Sequence, residues 1–134
     1  MENKVEMRLL KFNFTELFFK LNDSFVWPKD PISLEPVIEK KITKIDENKV
    51  KISLFFAIKD SENKPFDSKV TLVGVFECQN WEKDEVGKLL VTMNTVNILF
   101  PYLRQAVSSL TTTAGVPPYI LPIINTQSIK EKGE

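Results

Sequence analysis

The chain has 134 residues, 43% apolar and 27% charged, with a formal net charge of zero. That length supports one hydrophobic core but not two, and neutrality removes any global attraction to nucleic acid or an anionic membrane. Histidine is absent, which excludes Ser-His and Cys-His catalysis and histidine metal sites, and the lone Cys78 permits neither an intrachain disulfide nor a Cys-rich zinc site.

Cysteine usage fits a reducing compartment. The opening segment Met1–Glu6 lacks a basic region followed by an apolar core, and no apolar run approaches a membrane span, so a cytoplasmic address is expected. From Val5 to Leu21 the pattern is strand-like: Leu10, Phe12 and Phe14 alternate with polar residues until Leu17-Phe18-Phe19 breaks the register, which predicts a bulge or face switch near Glu16. Residues 22–36 carry Pro28, Pro31 and Pro36 and form neither a central strand nor a stable helix. They read as a crossover loop that nevertheless holds Phe25, Val26 and Trp27. A lysine-rich second strand (Val37 to Ile45) is followed by a turn at Asp46-Glu47-Asn48.

The third strand has the cleanest period, with Val50, Ile52, Leu54, Phe56 and Ile58 on one face. A polar loop from Asp60 to Asp67 leads to a fourth strand that sets Val70, Leu72, Gly74, Phe76 and Cys78 against Lys69, Thr71, Val73, Val75 and Glu77. Short polar links between such strands predict an antiparallel sheet with one buried face.

After Trp81 apolar residues recur at three- and four-residue steps, a helical region of about 82–114. Glu82, Asp84 and Glu85 suit a helix start, and Gly115 followed by Pro117-Pro118 suits its stop. Pro101 cannot bond the carbonyl of Asn97, so a kink, or a restart with Asn97 as N-cap, is expected. Tyr119 to Ile124 reads as extended and apolar, and residues 130–134 as a frayed tail. Residues 1–134 thus form a single α+β domain: a four-stranded antiparallel sheet with helices packed on one face.

Little here carries chemistry. The carboxylates near residue 84 lie at a helix start with no sign of a shared pocket. Cys78 falls on the core face of its strand, and the Ser108–Thr113 hydroxyls follow no glycine-rich phosphate loop. No catalytic residue, cofactor or metal is expected. The apolar residues are more informative. Phe100, Tyr102, Leu103, Val107 and Leu110 belong to helix packing or an oligomer contact. Phe25, Val26, Trp27, Tyr119, Ile120 and Leu121 lie outside the regular core pattern. They either complete the core or a subunit interface, or form an interaction surface.

The phrase Asn97-Ile98-Leu99-Phe100-Pro101-Tyr102 with Arg104, and then Gly115 and the Pro117 to Pro122 segment, resembles the SecB family of chaperones. The order of elements from Leu10 to about Ile129 is similar as well. The resemblance implies an ATP-independent holdase, a homotetramer built as a dimer of dimers, whose apolar grooves take unfolded or nascent polypeptides. It assigns Phe25, Val26, Trp27, Tyr119, Ile120 and Leu121 to that groove. Family members dock the SecA motor through acidic positions on the sheet face. Glu16 keeps one, whereas Lys20 and Lys69 stand at others with reversed charge, which opposes SecA docking. Without SecA, the expected variant is a dedicated chaperone of an antitoxin. The alternatives are a non-chaperone oligomeric scaffold and a small-molecule binding module. Neither nucleic acid nor membrane insertion is implied.

Overall fold

The computed structural model describes residues 7–30, 32–58, 63–122 and 124–133. Met1–Glu6, Pro31, the first loop residues after the third strand (59–62), Ile123 and Glu134 lie outside the described residues. Among the described residues five strands, β1 (Met7–Leu21), β2 (Pro36–Asp46), β3 (Lys49–Ile58), β4 (Phe66–Cys78) and β5 (Lys130–Glu131), form one sheet in the order β1-β4-β3-β2-β5. One long helix, α1 (Glu85–Thr113), and a short 3-10 turn (Thr126–Ser128) complete the fold. Because β1 and β2 stand at opposite sides of the β4-β3 pair, the loop between them crosses the end of the sheet.

The period-two pattern of β3 and β4 does what alternation dictates: Val50, Ile52, Leu54, Val70, Leu72, Phe76 and Cys78 have no exposure and pack under α1. Gly74 marks the closest approach. A Cβ there would lie 2.8 Å from Leu99 Cδ2, so any larger residue would force the buried Leu99 side chain to shift. β1 follows β4 with two register shifts, between Leu9 and Lys11 and between Phe14 and Glu16. The second is the bulge expected near Glu16, and it turns Phe18 to the helix-free face while Phe19 stacks on Phe66, ring centroids 4.9 Å apart.

Asp84 caps α1, its carboxylate accepting from the Gly87 amide at 2.7 Å. Glu82 lies before the helix and pairs with Lys44 across 2.6 Å. At the other end Gly115 has φ +84°. The Gly115 and Val116 amides donate to the carbonyls of Thr112 and Thr111, a Schellman stop that turns the chain sharply back.

Two expectations are corrected. Of the two outcomes expected at Pro101, a kink or a restart, the restart does not occur: α1 runs unbroken through Pro101, which is exposed, while Leu99, Phe100 and Leu103 beside it are pinned in the core. The sheet has five strands, not four, because Lys130 and Glu131 are not frayed. They pair in parallel with Glu39 and Lys40 of β2, and the Lys132 amide donates to the Lys40 carbonyl at 2.8 Å. Burial of Ile129 just upstream holds this segment in place. Among the described residues, no helix is long and apolar enough to cross a membrane.

Candidate functional site: an apolar groove between loop and post-helix segment

The crossover loop is tied down at its start. Asn22 donates its amide to Pro65 O at 2.8 Å and its side-chain Nδ2 to Lys64 O at 2.9 Å, and its backbone carbonyl accepts from Phe25 at 3.1 Å. Beyond this anchor Phe25 and Trp27 meet edge to face, ring centroids 5.3 Å apart. Trp27 remains 39% exposed.

Opposite, Tyr119 is fixed from three sides. Its amide donates to Thr111 Oγ1 of α1 at 2.9 Å, its hydroxyl reaches Leu34 O of the loop at 3.5 Å, and its ring lies 6.5 Å from that of Phe56. Burial pushes the Tyr119 phenol above its ordinary pKa, so it stays a neutral donor. Between the two walls lies a groove of about 370 Å³, floored by Phe66 and walled by Trp27, Pro28, Leu34, Pro117 and Tyr119. Lys29 and Asp30 stand among its lining.

The structure divides the six residues assigned to the groove. Trp27 and Tyr119 both line it, and Phe25 braces Trp27. Val26 points away, 85% exposed. Extended chain alternates its side chains, so Ile120 turns outward into a separate cleft beside Pro101, Arg104 and Ser108, while Leu121 turns inward. Leu121 is 1% exposed and belongs to the core, a correction to its assignment to the groove.

Pro28, Ile32, Leu34 and Phe66 line the groove without having been singled out in the sequence. Alternation of Ile32 and Leu34 ahead of β2 is the signal that could have found two of them.

The other assigned residues lie on α1. Phe100, Leu103 and Val107 are buried against the sheet, Leu110 is half-buried at its margin, and Tyr102 is exposed beside Phe12 at 4.5 Å between ring centroids. Glu16 is exposed on the helix-free face opposite Thr71. On that same face Lys20 lies opposite Asp67 and Lys69 opposite Phe18. Cys78 is fully buried, and burial pushes its thiol up to about 11, so it is protonated at neutral pH and no nucleophile. What the arrangement offers is apolar surface held open.

Residues 7–132 match the family described as preprotein translocase subunit SecB. A protein-export protein SecB of Methylococcus capsulatus is 31% identical over 125 residues, covering 86% of this chain and 79% of that protein. A protein-export protein SecB of Neisseria meningitidis is 41% identical over 73 residues, covering 54% of this chain and 49% of that protein. The match thus spans about half the length of the Neisseria relative. In three dimensions the chain superposes on the Mycobacterium tuberculosis SecB-like chaperone, solved in complex with a peptide from an antitoxin. The TM-score is 0.64 at 13% identity, over 88% of this chain and 89% of that one, a likeness of fold. With the sheet, the crossover loop and α1 all inside the matched region, the chain belongs to the SecB family.

Proposed function

We propose that this protein is an ATP-independent holdase that keeps unfolded or nascent polypeptides from aggregating, acting in the cytoplasm in the service of protein export or of a dedicated client. The observation that carries this reading is the open groove between Trp27 and Tyr119. An unfolded chain offers spaced aromatic and aliphatic side chains, and each one buried contributes about 25 cal/mol per Å² without demanding one sequence. The proline-rich walls expose few amide donors, so the site selects apolar side chains over a hydrogen-bonded pattern.

A groove of about 370 Å³ sits at the small end of ligand sites. Useful affinity for a long client then requires several grooves acting together. Assembly into a homotetramer, a dimer of dimers, supplies them. Two features support assembly: α1 carries exposed Val86, Leu89 and Ile98, and β1 is an edge strand with Leu17 and Phe18 exposed. A helix apolar around its circumference is normally covered on both sides.

Lys20 and Lys69 on the helix-free face favour a second reading within the same class, a chaperone of a specific client such as an antitoxin, without SecA. The family neighbour bound to an antitoxin peptide has this kind of client. The purified protein should suppress aggregation of a chemically denatured model protein at near-stoichiometric ratio with no nucleotide. Absence of suppression at a large excess would reassign the groove to assembly.

A further inference from the structure

A surface on the opposite side of the sheet from α1 has a chemistry of its own. Register pairs share a face, so the rows of this surface follow from the pairing. One row reads Lys11–Val75–Lys51–Thr43 across β1, β4, β3 and β2, and the next Asn13–Val73–Ser53–Lys41. Neither row contains an acid. At a strand spacing of about 4.8 Å, Lys11 and Lys51 stand roughly 10 Å apart. That is about one Debye length at ordinary ionic strength, so the fields of these lysines reinforce one another.

The flanking rows differ. Arg8 pairs with Glu77 at 3.3 Å, and Lys49 and Asp46 extend that row with alternating sign. On the other flank Glu16, Thr71, Phe55 and Glu39 stand in line, with Lys130 beside Glu39 and the Lys132 ammonium 4.0 Å above the Phe55 ring. Lys11, Lys41 and Lys51 form no ion pair among the described residues. Between them Val73 and Val75 are only half-buried.

We propose that this lysine-framed valine strip binds an acidic polypeptide segment of a partner protein, one that alternates carboxylates with aliphatic side chains. Charge complementarity selects the carboxylates, and Val73 and Val75 take the aliphatic groups. Single-stranded nucleic acid fits less well, because it needs aromatic platforms and arginine: Phe55 is capped by Lys132, and Arg8, the arginine of this face, is engaged by Glu77. This surface is separate from the groove and does not depend on the holdase reading.

The test uses the full chain and a fluorescein-labelled peptide of repeating Glu-Leu, followed by anisotropy, with a Lys-Leu peptide and an oligouridine RNA as comparators. The acidic peptide should bind, and its affinity should fall steeply as salt rises from about 50 to about 500 mM. The triple variant Lys11→Glu, Lys41→Glu, Lys51→Glu should lose binding by about tenfold or more, while Trp27→Ala leaves it unchanged. The milder Lys→Gln triple should fall between, and it serves if the charge reversals disturb folding.

Any of three results would overturn the proposal: salt-insensitive binding, tighter binding of the RNA through the same lysines, or a peptide signal that disappears in Trp27→Ala and survives the Lys→Gln triple.

Discussion

The layer beneath α1 and the groove a few residues away are built from the same kinds of side chain, yet one is closed and the other open. Under the helix, Ile52, Leu54, Leu72 and Leu99 are sealed from water. At the groove, Trp27 remains partly exposed, and Pro117 and Pro118 are exposed beside it. Backbone chemistry separates them. Strands and helix satisfy their own hydrogen bonds and so pack side chains to crystal-like density. The groove walls are proline-rich segments that cannot extend the sheet or the helix, and so cannot close over their own apolar groups. Regular structure consumes its greasy surface, whereas irregular structure can hold it in reserve.

That contrast can be broken at several strengths. Leu72→Ala, in the sealed layer, should lower unfolding stability by about 2–5 kcal/mol in urea titrations, since the cavity it leaves under α1 cannot refill. A loss below that range would mean the layer is looser than its burial implies.

Alkaline pH probes the same layer through Cys78. Its folded pKa is raised to about 11 from an ordinary 9.0, so the folded state holds the proton more tightly. Stability is therefore full below pH 9 and declines as pH rises from 9 to about 11, by about 2–3 kcal/mol in all at 1.36 kcal/mol per pKa unit. Cys78→Ala should reduce that decline between buffers on either side of the window, leaving the part that comes from the raised Tyr119 phenol.

Groove substitutions should behave in the opposite manner. Trp27→Ala is expected to weaken binding of a denatured client about tenfold (about 1.4 kcal/mol). The urea midpoint should barely move, and the oligomer size seen by light scattering should stay the same. Collapse to monomers would place Trp27 in a subunit contact. The smallest effect belongs to Tyr119→Phe. It removes one long hydrogen bond to Leu34 O and keeps the ring, so stability should drop by no more than about 1 kcal/mol.

Much of the closed layer was legible in the sequence because periodicity reports burial directly. The even-numbered residues of β3 and β4 and the three- and four-residue steps of α1 are where the expectations and the structure coincide. What escaped has physical reasons. β5 is a two-residue strand of Lys130 and Glu131, held by register to β2 and by the burial of Ile129, and neither leaves a periodic trace. Leu121 follows Ile120 in one apolar run, and hydropathy cannot separate two neighbours that extended backbone sends to opposite sides. At Pro101 the local rule allowed a break, but tertiary packing on both sides of the proline outweighed it.

The hydroxyl of Tyr119 links the post-helix segment to the loop through Leu34 at 3.5 Å, a polar tie across the groove. A bond of this kind is worth about 1 kcal/mol, less than two units of thermal energy. Were it the whole restraint, the parted form would make up roughly a sixth of the population at any instant. On the holdase reading proposed above, a latch this weak would set little barrier to a client's entry and exit, so release would need no fuel cycle.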